Sequence, residues 1–118
     1  MNTGEKPYTF LPNLKTEIAS ALEAAKDHKN IQGQAIYRDS VVKVLLFPFA
    51  AGQILHEHTT PHQATMHILS GKGTVTLGAD KKEVEAGAWM MMPPSLPHSV
   101  HAETELVLLL QVFVGTGS

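Results

Sequence analysis

The sequence contains no cysteine among its 118 residues. Disulfide bonds and thiolate metal sites are therefore excluded, and any metal ion has to be bound by nitrogen or oxygen atoms. The chain also lacks an excess of basic residues, because 9 lysines and arginines stand against 11 aspartates and glutamates. No basic stripe is present that could follow a phosphate backbone or an anionic lipid surface. We therefore expect neither nucleic acid nor a membrane as a partner.

Long apolar runs are absent as well. None approaches the roughly 18 residues that a membrane-spanning helix needs, and the first residues lack the charged and then apolar pattern of a signal peptide. These absences lead us to expect a cytoplasmic protein. The length and a hydrophobic content of 43% predict one globular domain with its own core.

The chain divides into a helical and a β-rich part. Over residues 13–28, apolar side chains such as Leu14, Ile18 and Leu22 recur at helical spacing, and Asn13 is a suitable N-cap. We predict that an N-terminal segment, residues 1–32, packs this helix on a barrel formed by residues 33–118.

From residue 33 onward, short β-rich runs alternate with turns rich in glycine, proline and aspartate. Many short strands without intervening helices predict an all-β fold, either an antiparallel sandwich or a closed barrel. The predicted strands cover residues 34–38, 41–47, 53–58, 65–70, 74–77, 83–86, 88–92, 98–102 and 105–114.

Histidine is the residue type that calls for an explanation. The chain has seven, and six of them lie between positions 56 and 101. In an extended strand, residues two apart project to the same face about 6.6 Å apart, so His56 and His58 can converge on one ion while Glu57 points away. His98 follows a proline-rich turn at the start of another strand and can supply a third nitrogen. Three imidazoles leave coordination positions open for water or substrate.

The spacing resembles that of the cupins, whose motifs are G-x5-H-x-H-x3,4-E-x6-G and G-x5-P-x-G-x2-H-x3-N. The match covers residues 50–102. In the second motif Gly87, Pro93 and His98 are in register, with Ser95 in place of the glycine and Ala102 in place of the asparagine. In the first motif the two histidines and Gly71 fit. The resemblance to small single-domain, RmlC-like cupins implies a jelly-roll (double-stranded β-helix) barrel with one N-terminal helix, a metal in the barrel mouth and a homodimer.

The glutamate that supplies the family's fourth ligand is missing. The position that follows His58 after three or four intervening residues is His62 or Gln63, whereas the position that precedes Gly71 by six intervening residues is Ala64. Three alternatives follow: His62 is a ligand, Gln63 offers its amide oxygen, or the ion keeps three histidines and extra water. We favour three histidines with His62 or Gln63 as a supplementary ligand, and His62 over Gln63.

Other side chains near the motifs have more ordinary interpretations. His67 and His101 lie off the phase of the predicted ligands and are interpreted as structural. Alternation also places four apolar residues on one face, where they would line a pocket beside the ion: Met66, Ile68, Met90 and Met92.

These residues predict a small metal-binding protein. One divalent ion is expected, and imidazole ligands suit iron, zinc, nickel and copper, with manganese as a further candidate. Neutral ligands leave the positive charge uncompensated, which favours a small anionic ligand, and resemblance to all-histidine cupins implies dioxygenase-like oxidoreductase chemistry. The alternative hypothesis is a non-catalytic module that binds or senses a metal or a small molecule.

Overall fold

The computed structural model describes residues 6–26 and 30–115. It contains one helix, α1 (Leu14–Ala25), followed by nine strands. The strands are β1 (Gln34–Arg38), β2 (Val42–Phe49), β3 (Ile54–His58), β4 (Gln63–Ser70), β5 (Lys72–Leu77), β6 (Asp80–Glu85), β7 (Trp89–Met92), β8 (His98–Ala102) and β9 (Leu106–Phe113).

The strands form two antiparallel sheets. The five-stranded sheet has the order β1-β2-β9-β4-β7, and the four-stranded sheet has the order β3-β8-β5-β6. Consecutive strands β3 and β4 therefore lie in different sheets, as do β8 and β9. The predicted all-β jelly roll with one helix is confirmed.

The two sheets enclose one apolar core. Alternate residues of each strand point inward, and the largest of these side chains are fully buried, including Phe49, Met66 and Ile68 from one sheet and Val75 and Val100 from the other. The histidine-bearing strands β3 and β8 form one edge of the four-stranded sheet, so their inner faces border this core.

Helix α1 packs on the outer face of the five-stranded sheet. The side chain of Asn13 accepts a hydrogen bond from the backbone N–H of Lys15 at 2.9 Å, which caps the first turn. Ala21 is fully buried against Leu46 and Val107. The helix thus lies on the barrel. The last residues of its predicted range, 27 and 28, lie outside the described part of the chain.

Some strands extend beyond their predicted limits. β2 continues through Pro48 to Phe49, although proline cannot donate to a ladder. The pairing with β1 reaches only Leu46, so at Pro48 the strand has a ladder neighbour on one side only. Within residues 6–26 and 30–115, α1 is too short to cross a bilayer.

Candidate metal centre

His58 and His98 lie side by side at the edge of the core. β3 and β8 pair antiparallel with these two residues opposite each other, and their ring centroids are 4.2 Å apart at an interplanar angle of 60°. His98 is buried, with 4% of its surface exposed, whereas His58 is exposed at the end of its strand. Two imidazoles thus meet at the boundary between core and solvent.

Each of these rings is oriented by a backbone carbonyl. Nδ1 of His58 lies 3.0 Å from the carbonyl oxygen of His56, and Nδ1 of His98 lies 2.9 Å from that of Leu96. A carbonyl can only accept, so Nδ1 carries the proton and donates it. In the neutral ring the lone pair then resides on Nε2, which is the arrangement that orients metal-binding histidines in proteins.

The surroundings of His98 favour its neutral form. Burial lowers the pKa of His98 below its ordinary value, and the nearby His58 acts in the same direction. The hydrogen bond to the Leu96 carbonyl opposes this effect, because it stabilises a protonated ring, but the net shift is downward. Near neutral pH this side chain is therefore available as a nitrogen donor.

The third predicted ligand, His56, does not form a group of three with His58 and His98 in the described structure. Leu55 is opposite Val100 and His58 is opposite His98, so His56 and Glu57 together oppose a single residue of β8. This register shift interrupts the strict alternation on which the expectation for His56 rests. His56 is exposed, and among the residues that the structure describes, no three histidine, aspartate or glutamate side chains come together as a metal site.

The segment where the family glutamate is missing lies at the start of β4. His62 is half-buried, and its backbone N–H donates to Thr60 Oγ1 at 3.3 Å. Gln63 is exposed, and its neighbour Ala64 is 1% exposed and packs in the core. Since successive strand residues face opposite sides, Gln63 lies on the outer face, away from His98.

The predicted pocket residues share the inner face of the five-stranded sheet. Met66, Ile68 and Met92 are 2%, 0% and 1% exposed, and Met90 is half-buried against the same core. These side chains are packed against other apolar residues. They belong to the apolar core that the two sheets enclose. His67, by contrast, lies opposite Trp89 on the outer face.

The turn before His98 contains features that the sequence patterns missed. Ser95 has a φ of 69°, in the left-handed region, which explains why the family has glycine at this position. Its N–H donates to the carbonyl of Thr60 at 2.7 Å, which ties this turn to the loop after His58. Leu96 was also missed, because a carbonyl acceptor belongs to every residue and leaves no signal in the sequence.

The donor set fits a metal ion in part. Two neutral, oriented imidazoles supply two nitrogen ligands, whereas a protein metal site ordinarily has three or more. Among the described residues, neither His56 nor His62 completes a group of three such donors with the pair, and Gln63 is exposed on the outer face.

Comparison with known proteins matches the region of the chain that contains His58 and His98. The family model described as Cupin domain matches residues 45–113, which is more than half of the chain and includes both histidines of the pair. An uncharacterized protein of Aquifex aeolicus is 33% identical over 61 residues, covering 52% of this chain and 50% of that protein. The matched region spans about half the length of the curated relatives.

Solved structures agree on the fold. An RmlC-like cupin from Desulfovibrio desulfuricans is 25% identical with a TM-score of 0.67, covering 75% of this chain and 86% of that one. A salicylate 1,2-dioxygenase from Pseudaminobacter salicylatoxidans is 14% identical with a TM-score of 0.76, covering 85% of this chain and 34% of that one. At such identity the second likeness concerns the fold alone.

Proposed function

The chain belongs to the cupin domain family, and on that premise we propose that it binds one divalent metal ion through Nε2 of His58 and of His98. The observation that carries the proposal is the pair of Nδ1–H bonds to the His56 and Leu96 carbonyls. They leave both Nε2 lone pairs available before any ion is bound. Burial of His98 supports the same assignment, since it keeps the ring neutral.

His56 is the proposed third ligand. It lies at the register shift of β3, where it and Glu57 oppose one residue of β8 and are not held in a regular ladder. A local change of the strand at this point, coupled to ion binding, would add its nitrogen to the pair. His62 is the proposed supplementary ligand, because it is half-buried in the loop tied to Ser95, whereas Gln63 is exposed on the outer face.

The proposed chemistry follows from a shell of neutral nitrogens. Such a shell leaves the charge of the ion uncompensated, so a small anionic molecule is the favoured additional ligand. When bound, a ferrous ion would supply the substrate chelation and oxygen chemistry of a dioxygenase. The role of His58 and His98 is to present unprotonated Nε2 atoms to the ion.

We accordingly propose a dioxygenase-like enzyme that acts on a small anionic substrate. The structurally similar salicylate 1,2-dioxygenase motivates small aromatic carboxylates as the first compounds to test. A non-catalytic binding or sensing module is the second candidate, and one observation favours it. Among the described residues the donors are not assembled into a group of three, as would suit a protein that takes up its ion reversibly.

Elemental analysis of the purified protein tests the metal proposal. We expect about one divalent ion per chain in the parent protein and a loss of that ion in the His58→Ala and His98→Ala variants. His67→Ala is the matched control, because that histidine lies on the outer face of the sheet. Equal metal content in all four proteins would contradict the assignment.

The pH dependence of metal content is a second readout of histidine ligation. Metal retention should fall below about pH 6, since imidazole with a reference pKa near 6.5 must be neutral to bind. A metal content that stays constant from pH 5 to 8 would count against histidine ligands.

Oxygen consumption separates the enzyme from the binding module. The iron-loaded protein is incubated with a panel of small carboxylates, thiols and diketones, with the His98→Ala variant as control. Uptake that depends on both substrate and His98 supports the enzyme. If the protein retains its iron but consumes no oxygen with any compound of the panel, the result supports the binding module.

A further inference from the structure

The histidine pair and the ends of four strands lie at one end of the barrel. β3 ends at His58 and β4 begins at Gln63, while β7 ends at Met92 and β8 begins at His98. Because the connections between these strands are short, the start of β4 and the end of β7 in one sheet lie at the same end as the pair in the other. We call this end the histidine end.

A row of register partners crosses the five-stranded sheet at the histidine end. In order, the row consists of Met92, Ala64, Val112, Lys43 and Arg38. Residues directly opposite each other on neighbouring strands share a face. Ala64 and Met92 are each 1% exposed, and Val112 packs with them in the core. Lys43 and Arg38 therefore lie on the inner face of this sheet as well.

The strand that carries Lys43 lies across the barrel from the strand that carries His58. The order β2-β9-β4-β7 of one sheet corresponds to the order β3-β8-β5-β6 of the other, strand for strand. Each strand is joined to its counterpart by a connection of one to four residues, which is long enough only for neighbours across the core. Lys43 is the second residue of β2 and His58 is the last of β3. The two residues thus belong to opposite walls of the histidine end.

The two basic side chains are not neutralised within the protein. Lys43 and Arg38 are exposed, and over residues 6–26 and 30–115 neither has a carboxylate within 4 Å. The carboxylate of Asp39, which follows Arg38, instead accepts hydrogen bonds from the Tyr37 hydroxyl and from two backbone N–H groups of its own turn. Like charges directly opposite each other in a sheet are destabilising. An anion at this position would remove that repulsion.

The row also explains what the missing family glutamate leaves behind. Ala64 is the position that precedes Gly71 by six intervening residues, and its side chain faces inward beside Val112. A carboxylate there would offset the basic charges and would repel an anionic ligand. With alanine, the inner face of the row is apolar from Met92 to Val112 and basic at Lys43 and Arg38.

We propose that Lys43, assisted by Arg38, binds a second carboxylate of the ligand whose first carboxylate coordinates the ion at the histidine pair. The inference rests on the proposed metal site and narrows its ligand from small anions to dicarboxylates. Ammonium and guanidinium groups both make charge-assisted hydrogen bonds to carboxylates. The apolar part of the row suits the methylene chain between the two charged groups.

Isothermal titration calorimetry of the zinc-loaded protein tests the proposal. Succinate, glutarate and adipate are each compared with the monocarboxylate of equal chain length. The parent should bind at least one dicarboxylate about tenfold more tightly than its monocarboxylate, and Lys43→Gln should abolish most of that preference. Lys43→Arg keeps the charge and should preserve the dissociation constant to within about threefold. Arg38→Gln should have a smaller effect than Lys43→Gln, because Arg38 lies further from the apolar part of the row.

The matched control is Lys81→Gln, which removes the charge of an exposed lysine on β6 of the other sheet. It should leave both dissociation constants unchanged. Equal dicarboxylate affinity in Lys43→Gln and Lys81→Gln would overturn the proposal, and so would a parent protein that binds dicarboxylates no more tightly than monocarboxylates.

Elemental analysis separates this inference from the metal proposal. Lys43 is not a proposed ligand of the ion, so Lys43→Gln should retain the zinc content of the parent, whereas His98→Ala should lose it. If the parent itself retains no zinc, the metal proposal fails and the titrations are made with chelator-treated protein. Weaker dicarboxylate binding in Lys43→Gln than in Lys81→Gln would then still support Lys43 as an anion site, and equal binding would overturn it.

Discussion

Replacing Ser95 with glycine should stabilise the protein. Ser95 has a φ of 69° in the turn that precedes His98. A side chain in the left-handed region costs roughly 1–2 kcal/mol, whereas glycine costs about 0.5–1 kcal/mol more backbone entropy than alanine on folding. The difference predicts that Ser95→Gly raises the free energy of unfolding by about 0.5–1 kcal/mol.

For a domain of this size the gain corresponds to a rise in Tm of roughly 2–4 °C. Urea denaturation followed by tryptophan fluorescence gives the free energy, and calorimetry gives Tm. Ser95→Ala is the matched control, because it keeps the Cβ atom and the backbone hydrogen bond to Thr60. If Ser95→Gly is no more stable than Ser95→Ala, the positive φ at Ser95 costs no stability, which would refute the predicted strain in this turn.

Three further predictions concern stability. Because burial lowers the pKa of His98, the unfolded chain binds the proton first as the pH falls, and chelator-treated protein should lose stability below about pH 6.5. The free energy of unfolding should fall less steeply with pH in His98→Gln, and identical urea titrations of the two proteins between pH 7 and 5 would contradict this. Gly71→Ala should cost at least about 3 kcal/mol by thermal denaturation, since its Cβ would overlap a carbonyl of the neighbouring chain segment, whereas Gly52→Ala, with a similar φ but open space, should cost only about 1–2 kcal/mol. Thr65→Val should cost about 1 kcal/mol in urea denaturation, because the Thr65 hydroxyl donates to Gln111 Oε1 at 3.0 Å; a parent-like midpoint would show that this bond contributes nothing.

Much of the fold could be predicted from side-chain alternation and turn residues. The predicted limits of β1 and β8 are those of the structure. Elsewhere the local signals were misleading. β5 begins at Lys72, two residues before its predicted start at residue 74. Gly73 pairs with Ala102, where an added Cβ would overlap the backbone of β8. The need for glycine there comes from the partner strand, which local sequence does not reveal.

The candidate site was predictable only in part. The motif spacing predicts that His58 and His98 share one site, and the pairing of β3 with β8 places them opposite each other. The position of His56 could not be derived, since alternation assumes a regular strand. A register shift arises from the fit between two strands that lie some 40 residues apart in the sequence, so it is invisible to a pattern read along one of them.

The place of β9 in the five-stranded sheet has a consequence for how the protein is made. β9 lies between β2 and β4 and pairs with both along most of its length. Neither neighbour can complete its ladder until residues 106–113 have been synthesised and have left the ribosome. Contacts between such distant parts of a chain form slowly, so the nascent protein exposes the inner faces of β2 and β4 until β9 pairs with them. We expect a growing chain that depends on chaperones until β9 inserts.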